Sequence, residues 1–134
     1  MKIYLDCEYN DFKGELISIG LASAYGTFYA SLGCKNPSKW VAEHVIPVIG
    51  IQPEPLEVVQ HKIQKWLSQF DTVHIIADWP EDIAHFCNLL ITKPGYCLNT
   101  PPITMELRRD LNSLKSGILH NALADAIAIM EMDA

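Results

Sequence analysis

Near its N-terminus the chain alternates apolar and polar positions, KIYLDCEY. Alternation with period two predicts a strand, with Tyr4, Asp6, Glu8 and Asn10 on one side and Ile3, Leu5, Cys7 and Tyr9 on the other. Two carboxylates therefore share a face. Like charges that close force one pKa upward, so the pair calls for a proton, a basic partner or a metal ion. Two further strand-like runs, ELISIGLAS and TFYASL, follow short connections that contain Gly, the pattern of antiparallel hairpins.

The period then changes. PSKWVAEHVIPVIG has Pro37 at a helix start and Trp40, Val41, His44 and Val45 at helical spacing before Pro47. PLEVVQHKIQKWLSQF carries Leu56, Val59, Ile63, Trp66, Leu67 and Phe70 on one stripe, an amphipathic helix. This spacing places Trp40 and Trp66 in the core. TVHIIA reads as a buried fourth strand, followed by the turn DWPE and the helix DIAHFCNLLI. TKPGYCLNTPP reads as a loop, ITMEL as a short strand, LRRDLNSLK as a helix, and HNALADAIAIMEMDA as a helix from about Asn121. With no repeat, linker or low-complexity tract, the expectation is a single α/β domain over residues 1–134.

Composition narrows the function. With 134 residues, 49% of them apolar, the chain can bury a core without staples, and its formal charge of −6 argues against a broad basic surface for nucleic acid. A small site gripping one strand end remains open. Cys7, Cys34, Cys87 and Cys97 form no CxxC pair, which suggests reduced thiols. No uncharged apolar run approaches the roughly eighteen residues of a membrane span, and none near the N-terminus suits a signal peptide, so the expected location is cytoplasmic, without a membrane partner.

Asp125 returns to the question that Asp6 and Glu8 raise. It is the only charged residue from Ala122 to Met130, and a helix apolar on nearly every side is a buried one. A carboxylate there needs a cation, hydrogen bonds or a proton. His120 lies five residues earlier, roughly 140° around a continuous helix, so both serve one site only if His120 precedes the regular turns. Asp82, opening the helix after the fourth strand, is the third acidic element, and Asp78 at that strand's end competes for its role.

D-x-E on a first strand, an Asp opening the helix after a fourth strand, and H-x-A-x-x-D-A near the end together resemble the DEDDh 3′–5′ exonuclease family. Asp6 and Glu8 look like its first motif, Asp82 its second, and His120 with Asp125 its third. ELISIGLASAYGTFYA, KWVAEHVIP and HNALADA are similar to the ribonuclease AS group within it, compact bacterial exoribonucleases that prefer adenylate-containing RNA. Many relatives carry Asn four residues before the second-motif Asp and an aromatic just before it; here those positions are Asp78 and Glu81, so Asp78 and Asp82 both stand as candidate ligands.

The resemblance implies a ribonuclease H-like fold, a mixed sheet of three antiparallel strands extended by parallel ones, with helices on both faces. It implies a homodimer acting on 3′ ends of single-stranded RNA and releasing nucleoside 5′-monophosphates. Two divalent ions about 3.5 to 4 Å apart suit such hydrolysis, activating water on one side and steadying the departing oxygen on the other. Mg²⁺ or Mn²⁺ prefers oxygen ligands, so Asp6, Glu8, Asp82 and Asp125 are the expected holders of two ions, with Asp6 bridging. His120 is the expected general base. Trp79 is a candidate stacking platform, with Tyr9, Phe12 and Phe86 also near the motifs, while Arg108 and Arg109 are candidate phosphate contacts and Asp78 a candidate substrate contact. The rivals are a 3′–5′ exodeoxyribonuclease of the same fold and a non-catalytic RNA-binding or interaction domain.

Overall fold

In the computed structural model, which describes residues 1–134, the opening alternation becomes strand β1 (Lys2–Tyr9). β2 (Leu16–Ser23) and β3 (Gly26–Ser31) follow as antiparallel neighbours, pairing Asp6 with Gly20 and Gly20 with Tyr29. On the other edge of β1, β4 (Val73–Ala77) runs parallel to it, and β7 (Ile103–Leu107) runs parallel to β4. The five-stranded order is β3-β2-β1-β4-β7. The expected mixed α/β sheet is thus present, antiparallel on one side of β1 and parallel on the other.

Helices cover both faces, and β1 is buried on both from Ile3 to Cys7. Ile3, Leu5 and Cys7 join the larger core with Val59, Ile63 and Leu67 of α2 (Leu56–Leu67) and Phe86 and Leu89 of α3 (Pro80–Leu90). On the opposite face, Tyr4 and Ile76 pack with Leu111 and with Ile129 of α4 (Ala122–Met132). The short α1 (Lys39–His44) lays Val41 against Ile17 of β2. No helix is long and apolar enough to cross a membrane.

Four expectations are corrected. In place of the predicted helix LRRDLNSLK, Leu107 ends β7 and residues 108–115 form turns and irregular backbone. Arg108 ties itself to Asp110 two residues on, and the Asn112 side chain accepts the Leu114 N–H, local bonds that compete with helical ones. Within the predicted loop TKPGYCLNTPP, Pro94 and Gly95 make a tight turn, Gly95 at φ +80°, between β5 (Ile91–Lys93) and β6 (Tyr96–Cys97). α3 begins at Pro80, so the predicted turn DWPE already holds its first helical residues. Trp40 is 47% exposed rather than core, because Val41 and Val45 form the buried stripe and Trp40 stacks on His44 outside it.

Gly20 decides how close α4 can come. A Cβ built on it would lie 2.5 Å from the carbonyl carbon and oxygen of Ala122 and from the Leu123 nitrogen. Because Gly20 pairs with Asp6, this contact seats the first turn of α4 beside Asp6. Gly20→Ala is expected to destabilise the protein by about 1–3 kcal/mol through overpacking, read as a lower urea midpoint at unchanged slope. A midpoint equal to wild type would show that α4 does not rest on this glycine.

Candidate functional site

Register brings the acids together. β1 and β4 pair Tyr4 with Ile76, and two residues further along each parallel strand come Asp6 and Asp78. Asp82 reaches the same point from the first turn of α3, on one face of the sheet, and Asp125 from the first turn of α4, on the other. Carboxylate oxygens of Asp6, Glu8 and Asp125 lie within 4.8 Å of one another, as do those of Asp6, Asp78 and Asp82. Asp6 belongs to both groups. All four predicted metal-ligating acids therefore converge, and Asp78 joins them; both candidates for the second motif are in place.

Two of the acids are held from behind. Asp82, 2% exposed, accepts the backbone N–H of Cys7 at 3.3 Å, while the Cys7 thiol lies 3.7 Å from the Asp82 carbonyl oxygen. Asp125, 4% exposed, accepts the backbone N–H of His120 at 3.2 Å. His120 has φ +70° and sits just before Asn121, which caps α4 through its side chain on the Ala124 N–H. The left-handed residue places His120 off the regular helix, as the spacing requires. Asn121 also donates to the Tyr29 hydroxyl and to the carbonyl oxygen of Val48, fixing this entry to the fold.

Burial and mutual repulsion dominate the electrostatics. Asp6 is pushed well above the usual carboxylate range by burial, then by Asp82, Glu8, Asp125 and Asp78. Burial and its acidic neighbours raise Glu8 to about 8, and burial and Asp78 raise Asp82 to about 8 against the Cys7 N–H. Burial also raises Asp125, opposed by the Ser116 hydroxyl, the His120 N–H and the His120 ring, and raises Asp78, opposed by its own backbone N–H and then by Arg109. Burial drives the Cys7 thiol well above its ordinary value, so it stays protonated and offers no thiolate.

Oδ2 of Asp6 and Oδ1 of Asp125 are buried without any hydrogen-bond partner. An orphaned, deeply buried carboxylate oxygen is costly unless a cation or proton meets it. An all-oxygen donor set of this kind fits Mg²⁺ or Mn²⁺ rather than a softer ion.

Beside the acids opens a cleft of about 340 Å³ lined by Glu8, Tyr9, Asp11, Phe12, Trp40, Val41, Trp79 and Glu81. Trp79, predicted as a platform, lies in this lining, as do Tyr9 and Phe12; Phe86 is core instead. Trp40 is the cleft residue that helical spacing misassigned, and its ring also meets the His120 ring edge-on at 5.0 Å between centroids. Arg109 extends over Trp79 at 4.6 Å from the ring centre, within stacking reach. Arg108, the other candidate phosphate contact, is turned toward carboxylates: Asp110, Asp133 and Glu106 surround its guanidinium, with a bidentate pair to Asp110 at 2.7 and 2.8 Å. Carboxylates already take its Nε and one of its two Nη groups. Ser116 is a site neighbour the sequence did not flag, since a loop serine carries no pattern.

Comparisons of this chain with protein-family models, with curated proteins and with solved structures find no match.

The raised carboxylates make stability pH-dependent. Glu8 and Asp82 titrate near 8 in the folded chain but near about 4 when unfolded, so between those values the folded form binds more protons. Metal-free stability should therefore be highest at the acid end and fall as pH rises from about 4 to about 8. His85, held below 6.5 by burial, acts oppositely only toward acid. Thermal melts in chelator from about pH 6.5 to 9 should show a falling midpoint that Mn²⁺ reverses. A flat or rising midpoint would contradict the repulsion.

Proposed function

We propose that the chain is a metal-dependent 3′–5′ exoribonuclease with a ribonuclease H-like fold. On this reading it belongs to the DEDDh exonucleases, near the ribonuclease AS group, and works as a cytoplasmic homodimer on single-stranded RNA. The observation that carries the proposal is the pair of acid groups sharing Asp6, one with Glu8 and Asp125 and the other with Asp78 and Asp82. Two Mg²⁺ or Mn²⁺ ions held by Asp6, Glu8, Asp82 and Asp125 would supply water activation and stabilisation of the leaving oxygen.

The chain's own residues supply the rest. His120, beside Asp125 and outside the helix, takes the proton from the attacking water, a task suited to an imidazole. Trp40, Trp79 and Phe12 present aromatic faces on which terminal bases stack, and the exposed Arg109 offers a donor toward backbone phosphate. Polarity, monophosphate products, dimerisation and the adenylate preference rest on the sequence resemblance.

Degradation of 5′-labelled and 3′-labelled RNA, with and without chelator, tests the proposal. The expected result is immediate release of the 3′ label as mononucleotide, progressive shortening of the 5′-labelled strand, and no reaction in chelator. His120→Ala should lower the rate by about 10²- to 10⁴-fold while Mn²⁺ binding persists. Internal cleavage, or full activity in chelator, would refute the assignment. A matched DNA oligonucleotide degraded faster than RNA would favour the exodeoxyribonuclease.

A further inference from the structure

Asp78 lacks two ordinary duties of an acid between a strand and a helix, a cap and an ion pair, and its backbone N–H is the local donor to its carboxylate. The helix it precedes receives no side-chain cap, since Trp79 stands at that position. None of the ion pairs in the structure involves Asp78. Burial raises its pKa, opposed by its backbone N–H and by Arg109, whose guanidinium lies over Trp79. Instead, an Asp78 carboxylate oxygen sits within 4.8 Å of those of Asp6 and Asp82. The residue shared with the neighbouring acid group, Asp6, is 8% exposed and holds the unpartnered oxygen Oδ2. An acid added where acids already repel one another is unfavourable unless a cation belongs among them.

We infer that Asp78 is a fifth carboxylate ligand which, with Asp6 and Asp82, completes a second divalent-cation position that the protein fills without substrate. This rests on the metal-dependent reading above and adds to it. Without Asp78 the second position has two protein carboxylates, Asp6 and Asp82, and depends on a substrate phosphate to complete it. With Asp78 each position has three, sharing Asp6. Five carboxylates around two divalent ions leave a net charge of about −1, so the loaded site no longer strongly repels a phosphodiester.

Calorimetric titration of nucleic-acid-free protein with Mn²⁺, paired with electron paramagnetic resonance, tests this. Wild type should bind two ions per chain and give a spin-coupled dimanganese signal. Asp78→Asn should weaken one binding event by tenfold or more, leave the other within about threefold, and abolish the coupled signal. In chelator the same variant should melt higher than wild type, because one repelling charge is gone, and should gain less from added Mn²⁺. That combination separates ligand loss from misfolding.

A single ion in wild type, or two ions at unchanged affinity in Asp78→Asn, would overturn the fifth ligand while leaving a metal-dependent enzyme intact. Wild type that binds no Mn²⁺, together with RNA hydrolysis insensitive to chelator, would overturn both readings. If Asp78→Asn fails to fold, the signal of wild type decides: uncoupled manganese without substrate rejects the inference.

Discussion

Repulsion among carboxylates gathered at the end of β1 is the constraint on which this molecule turns. Two like charges about 4 Å apart repel by roughly 4 kcal/mol at an effective dielectric constant of 20. A domain of this size is stable by only about 5–15 kcal/mol. Five acids with oxygens at such spacings, three of them buried, cannot all stay ionised on the strength of the surrounding core. Protons relieve the repulsion near neutral pH, and divalent cations relieve it more completely. Acids from opposite layers, Asp82 on α3 and Asp125 on α4, would then be drawn to shared ions.

The scaffold is built to bear that load from behind. α2 and α3 bury one face of β1 and α4 the other, so the strand carrying Asp6 and Glu8 is fixed on both sides. The backbone of Cys7, whose side chain is in the larger core, points an N–H at Asp82. The backbone of His120, held in a left-handed conformation, points another at Asp125. Asp82 and Asp125 therefore each keep one oxygen on the protein. Gly20 completes the arrangement, because α4 can lie against β2 only where no side chain intervenes.

Much of this was legible in the sequence, for reasons that differ by residue. The Asp6–Glu8 pair showed itself through period-two alternation, and Asp125 through being a lone charge in an apolar helix. Both are local signals, and the packing kept them. The choice between Asp78 and Asp82 was not legible, because it depends on the β1–β4 register, a contact between segments about seventy residues apart. Trp40 was misread because a six-residue helix shows fewer than two turns, too few for spacing to separate its buried stripe from the aromatic face beside it. Residues 107–115 read as helical in the sequence, yet side chains of Arg108 and Asn112 have closer partners. The β5–β6 hairpin has strands too short for any pattern to register, although its Pro-Gly turn was visible.

If the proposed function holds, an acidic chain acts on an anionic polymer and must draw affinity from something other than a basic surface. The cleft beside the cluster is lined by Glu8, Asp11 and Glu81 as well as by aromatic rings, so without cations its field opposes a nucleic acid. On the proposed reading, stacking of bases on Trp40, Trp79 and Phe12 would be indifferent to that field, since every base presents a π face. On the proposed reading, the bound ions attract the one phosphate that is to be cleaved, and the rings hold the bases next to it. Such a site grips a strand end and has little hold on the middle of a duplex, where bases are already stacked on each other. The charge balance that argues against a coating protein is thus compatible with an exonuclease, because only a few nucleotides need ever be bound.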